Sequence, residues 1–136
     1  MGTVYADITL KNATDIAFYR RGLKEEEDVR SVTVTAKVDT GAPTIVINEE
    51  LREKLGLDII EERRARMADG RWVTSKRTNG IEIHWKDRNI LCQAMLVPGA
   101  VSVLLGVIPL EWMDLIVDPL KEELVGAHGD EVVLDV

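Results

Sequence analysis

Val38-Asp39-Thr40-Gly41-Ala42 is the stretch on which the reading of this chain turns. It stands between two apolar segments. Before it, Val32, Val34, Ala36 and Val38 alternate with Thr33, Thr35 and Lys37, the period of a strand with one buried face. After it, Thr44-Ile45-Val46-Ile47 is β-branched and reads as the next strand. An Asp-Thr-Gly turn between two such strands presents a carboxylate to a cleft. The motif occurs once, so the chain supplies one such carboxylate. Acid–base chemistry run by carboxylates alone needs two, one to take a proton from water and one to give a proton.

Working outward, Asn48 is placed to cap a short helix over Glu49–Leu55, with two glutamates in its first turn and Gly56 to end it. Arg63 to Met67 and Arg71 to Ser75 flank Ala68-Asp69-Gly70, a hairpin signal because glycine takes a positive φ freely. Ile81 to Trp85 and Ile90 to Val97 read as strands around the polar turn Lys86–Asn89, and Pro98-Gly99 closes the second. Val103-Leu104-Leu105-Gly106 reads as a buried strand, and Pro109 as the opening of a helix through Leu115. Ile116-Val117-Asp118-Pro119 leads to a strand near Leu124-Val125, and Glu131 to Val136 is a candidate for one more.

Upstream, Val4 to Leu10 alternates as a strand. Asn12 then caps a helix carrying Ile16, Phe18 and Tyr19 that stops near Gly22, and the Glu-rich run from Lys24 to Arg30 reads as a solvated turn. Seven or more short strands with two or three short helices describe a mostly-β barrel or folded sheet. A faint internal echo accompanies it. Strand, turn and short helix occur at Val38–Leu55 and again at Leu104–Leu115, with Leu-Leu-Gly where the first copy has Asp-Thr-Gly.

At 136 residues and 46% apolar content the chain is expected to form a single domain over 1–136. A net charge of −7 argues against nucleic acid or an anionic membrane surface as partner. The start lacks a basic stretch followed by an apolar one, so no secretory leader is expected. No apolar run approaches the roughly 20 residues that span a bilayer. Cys92 is the single cysteine, which excludes an internal disulfide and agrees with a reducing cytoplasm, the expected location. It reads as an apolar packing residue.

His84 reads as a strand residue and His128 as loop. Neither has the ligand spacing of a metal site, so no metal and no cofactor are expected. Trp72, Trp85 and Trp112 read as packing residues, and Glu61-Glu62-Arg63-Arg64 as a solvated face. Asp69 and Asp118 are the other acids that bear on a carboxylate pair within one chain, and neither sits in a turn like that of Asp39.

The ordered set Val38-Asp39-Thr40-Gly41-Ala42, the Asn48–Gly56 helix, the Ala68-Asp69-Gly70 hairpin, Leu104-Leu105-Gly106-Val107-Ile108-Pro109-Leu110-Glu111 and Ile116-Val117-Asp118-Pro119 resembles the retropepsin-like (clan AA) aspartic proteases, in particular their small prokaryotic single-domain branch. The resemblance implies a retropepsin-like acid-protease barrel, one lobe per chain. It also implies an aspartic endopeptidase whose water-activating aspartate pair forms across a homodimer and which takes an extended peptide or protein substrate. Asp39 would be catalytic, with Thr40, Gly41 and Ala42 completing the active-site turn and Thr40 interlocking the two copies. Ala68, Asp69, Gly70 and Arg71 would form a flap over substrate, and Leu104, Leu105 and Gly106 would pack behind the turn.

Two departures are visible. Val107 and Ile108 stand where viral members carry the arginine and the acidic or amide residue that brace the dimer. Pro43 stands where a small polar or acidic residue is common. A catalytically inactive peptide-binding or dimerisation module with the same fold is the alternative reading.

Overall fold

The computed structural model describes residues 2–99 and 102–136. Among them the chain forms β1 (Tyr5–Asn12), α1 (Ala13–Arg20), β2 (Ser31–Val38), β3 (Ile45–Ile47), α2 (Glu49–Leu55), β4 (Ile59–Arg66), β5 (Trp72–Trp85), β6 (Arg88–Leu96), β7 (Leu104–Leu105), α3 (Val107–Trp112), β8 (Leu115–Asp118) and β9 (Glu123–Gly126). A single 3₁₀ turn covers Glu26–Asp28. This is the mostly-β architecture that the alternating pattern indicates.

The larger sheet runs β1-β2-β7-β3-β6-β5-β4, and a further pairing of β1 with β5 closes it into a ring. β4 hangs outside the ring as the outer arm of a hairpin. β8 and β9 form a separate two-stranded sheet. Most pairings are antiparallel, but β2–β7 and β3–β6 are parallel. Closure pairs both edges of every strand in the ring and leaves only the outer edge of β4 free in this sheet. Ile8, Leu10, Ile45, Ile47, Leu55, Ile81, Ile83 and Leu105 fill the interior, each at 0–1% exposure. Each such side chain contributes about 1.5–3 kcal/mol on leaving water.

The helix signals act as the residues suggest. The Asn12 side chain accepts from the Asp15 amide at 3.0 Å, and Asn48 accepts from the Leu51 amide at 2.9 Å. Gly56 ends α2 in the left-handed region at φ 63°, where a Cβ would be strained.

Several expectations are corrected. The segments 71–75 and 81–85 are parts of one 14-residue strand, β5. A register shift between Arg77 and Gly80 bends it, so its first half pairs with β4 and its second half with β1. The turn after it is only Lys86-Asp87, because Arg88 already pairs with Trp85. α3 starts at Val107, two residues before Pro109, whose missing amide still falls in the first turn where no partner is required. Residues 131–136 form no strand; only an isolated bridge joins His128 to Glu131.

The run from Lys24 to Arg30 is not simply solvated. Its two ends close on the Asp15 carboxylate, which is 2% exposed. Lys24 Nζ lies at 2.8 Å, Arg30 Nε at 2.8 Å and the Arg30 amide at 3.0 Å. Of the three tryptophans only Trp85 packs inside; Trp72 and Trp112 are 54% and 58% exposed.

Candidate active site

β2 delivers Asp39 to the surface. Val38 pairs with Leu105 of β7, and one step on, the Asp39 amide donates to the Leu105 carbonyl at 3.0 Å. The chain then turns sharply, with the Ala42 amide donating to the Asp39 carbonyl at 3.1 Å. Inside that turn the Gly41 amide donates to Asp39 Oδ1 at 2.8 Å, which fixes the direction of the carboxylate. A Cβ on Gly41 would stand 3.1 Å from the same oxygen, so glycine leaves room for this bond. Asp39 is half-buried, Thr40 and Gly41 are exposed, and Ala42 is buried in front of β3.

The second motif buttresses this turn from behind. Gly106 lies so close that a Cβ there would stand 2.3 Å from the Thr44 carbonyl oxygen and 2.4 Å from that of Ala42. Its backbone is extended, with φ −95° and ψ −169°, so the requirement for glycine is one of space. Beyond it the first two amides of α3 point back into the turn. Val107 donates to the Ala42 carbonyl at 2.9 Å and Ile108 to the Pro43 carbonyl at 3.0 Å. Helix-start amides lack partners within their own helix, and here the turn supplies them. Sequence reasoning did not assign Val107 and Ile108 this role. Their side chains carry no signal of it, since their backbone makes the contact.

The structure thus brings Asp39–Ala42 and Leu104–Gly106 together. The Ala68-Asp69-Gly70-Arg71 tip stands apart, at the end of the β4–β5 hairpin. It is closed by Met67 and Arg71, whose amide and carbonyl meet at 2.8 Å, and Gly70 sits at φ 86°. Asp69 is occupied locally. It accepts from the Arg71 amide at 3.0 Å and from Arg71 Nε at 2.6 Å, and these bonds hold its carboxyl below the usual carboxylate range. Asp118 accepts from the Leu120 and Lys121 amides in its own turn. Neither acid meets Asp39.

The other singled-out groups have ordinary partners. His84 Nε2 lies 2.8 Å from Glu82. His128 Nδ1 lies 2.7 Å from Asp114, which holds the imidazole pKa above its usual value. Cys92 is half-buried, and burial pushes its thiol up to about 11, far from the range of a reactive thiolate. Among the described residues no three His, Cys, Asp or Glu side chains gather as metal ligands. Among the described residues no helix is long and apolar enough to cross a membrane.

A cavity of about 490 Å³ lies beside the hairpin, lined by Asn48, Glu49, Thr74, Lys76, Leu96 and Pro98 among others. Asn48 follows β3, the strand that leaves the Asp39 turn. Asp39 itself is not in its lining.

The aspartyl protease family profile matches residues 27–107, a span that runs from just before β2 to the first residue of α3 and holds the Asp39 turn, the hairpin and Gly106. No curated protein matches the chain. With more than half of its length covered by that profile, the chain belongs to the aspartyl protease family.

Proposed function

We propose that this chain is one half of an aspartic endopeptidase that two copies complete about a twofold axis, with Asp39 of each copy as the catalytic pair. The observation that carries the reading is the Asp39 turn. It is pinned from behind by Leu105, Gly106 and the start of α3, its carboxylate is oriented by the Gly41 amide, and Thr40 and Gly41 are left exposed. Neither Asp69 nor Asp118 is placed to pair with it, and Asp39 is not in the lining of the 490 Å³ cavity. A second copy supplies both the missing carboxylate and the missing wall.

Two carboxylates about 3 Å apart share one proton. The ionised one takes a proton from water as that water attacks the scissile carbonyl carbon. The protonated one gives its proton to the carbonyl oxygen. The resulting diol collapses with cleavage of the C–N bond, and the amine leaves with a proton from the pair. Thr40 of each copy would join the turns, and the 68–71 tip would close over the substrate.

Replacing Asp39 by Asn tests this. Wild type should cleave peptides in mild acid and sediment as a dimer, while D39N should dimerise and lose cleavage. A wild-type monomer that stays monomeric with a statine-type inhibitor overturns the reading. The inactive peptide-binding or dimerisation module is favoured by Val107 and Ile108, whose positions provide no bracing side-chain charge. It predicts peptide binding or dimerisation equal in wild type and D39N, with no hydrolysis by either.

A further inference from the structure

We infer that the hairpin selects substrates carrying an acidic side chain, read by a stacked Arg64–Trp72–Arg66 row; this rests on the peptidase reading of the same site. The register sets Arg66 opposite Trp72, Arg64 opposite Thr74 and Glu62 opposite Lys76, so these six side chains share one face of the hairpin. Thr74 and Lys76 of that face line the 490 Å³ cavity. The face therefore runs from the cavity toward the tip at 68–71.

The positive charge of its outer part is not matched among the described residues. Glu62 lies 4.0 Å from Lys76. Arg63, Arg71 and Arg77 are each paired with a carboxylate, on Glu61 or Asp69. Arg64 and Arg66 have no carboxylate partner among the described residues. They lie over the Trp72 ring instead, at 4.3 and 5.8 Å from its centroid, and Trp72 is 54% exposed. In a chain of net charge −7 this is a local concentration of uncompensated positive charge.

The carboxylates across the cavity do not cancel it. Glu49 is paired with Arg52 and Glu50 with Lys54. A guanidinium stacked on indole keeps its N–H edge free and loses little further freedom when a carboxylate binds in its fork. The complementary ligand is an extended peptide with Asp or Glu facing the hairpin.

The test is a synthetic peptide library in which every Glu-containing member has a Gln twin, digested by wild type and by the R64Q/R66Q double variant and read by mass spectrometry. Wild type should cleave the Glu members about tenfold faster than their twins, the factor that about 1.4 kcal/mol provides. In R64Q/R66Q the ratio should fall to near one. R64E/R66E should favour peptides with Lys at that place. A wild-type ratio of one, or a ratio unchanged in the double variant, overturns the inference while leaving the peptidase reading standing.

If wild type cleaves nothing, the peptidase reading fails, and capture of the same library on immobilised protein decides the inference separately. Glu members retained over Gln members by wild type but not by R64Q/R66Q support it; equal retention or none overturns it. A weaker dimer for R64Q/R66Q with no change in the peptide ratio assigns the row to a second copy of this acidic chain and also overturns it.

Discussion

Replacing Gly106 by Ala adds one methyl group where the backbone leaves no room for it. The new Cβ would stand 2.3 Å from the Thr44 carbonyl oxygen, 2.4 Å from the Ala42 oxygen and 2.8 Å from the Ala42 carbonyl carbon. All three atoms are backbone, so no side chain can swing aside. Alanine tolerates the local conformation, φ −95° and ψ −169°, so the cost is steric. Overpacking of this kind costs about 1–3 kcal/mol. Separating the two segments also stretches the 2.9 Å bond from Val107 to Ala42 and the 3.0 Å bond from Ile108 to Pro43, each worth about 0.5–1.5 kcal/mol.

The total expected for G106A is about 2–6 kcal/mol, a large share of the ~5–15 kcal/mol that holds a domain folded. With a urea m-value of about 1.5 kcal/mol/M the midpoint should fall by roughly 1–4 M. Gly41→Ala is the control. Its Cβ meets only the Asp39 carboxyl group, nearest at Oδ1 at 3.1 Å, on an exposed turn. It should lower stability by under about 1 kcal/mol while still disturbing the carboxylate. Equilibrium urea unfolding of both variants reads the difference. A G106A midpoint within about 0.3 M of wild type would show that the Asp39 turn does not rest on the second motif.

Asp15→Asn should destabilise by about 2–3 kcal/mol in chemical denaturation, less than a fully buried pair because Arg30 is 47% exposed. The bonds from Arg30 and Lys24 hold the Asp15 carboxyl far below its ordinary value. Its stabilising contribution is therefore complete above about pH 4 and is lost only as the solution is made more acid, so the clamp persists in mild acid. A wild-type minus D15N stability difference that vanishes at pH 5 would refute this.

The Asp114–His128 contact, with the Val133 amide also on Asp114 at 3.0 Å, ties the C-terminal segment to the end of α3. Asp114 raises the His128 pKa, and Asp114 is itself lowered first by the Val133 amide and then by His128. The tie should be strongest between about pH 4 and about pH 7. It should loosen above as the imidazole loses its proton and below as the carboxylate gains one. The protection factor of the Val133 amide against hydrogen exchange should be highest inside that window, and a protection factor that does not change with pH would count against the tie. Cys92, with its thiol raised to about 11, should react with iodoacetamide at pH 8 at a rate set by unfolding; rapid labelling of the native protein would contradict its placement.

Local chemistry made most of the barrel legible from the residues in order. Alternation at 32–38, the β-branched run at 44–47, the Asn12 and Asn48 caps, and the left-handed glycines at 56 and 70 each act within a few positions, so their meaning survives without the rest of the molecule. The Asp39 turn belongs to the same class. What the chain order could not fix were relations between distant segments. The joining of 71–75 with 81–85 depends on β1 arriving beside the second half of the strand. The fate of Asp15 depends on Arg30 closing on it. That Gly106 must be glycine follows from two carbonyls more than sixty positions upstream. The arginines over Trp72 became a candidate recognition surface only when pairing set them on one face. Side-chain alternation and capping are written in neighbouring residues; close approach and charge matching are decided by which neighbours folding brings from elsewhere.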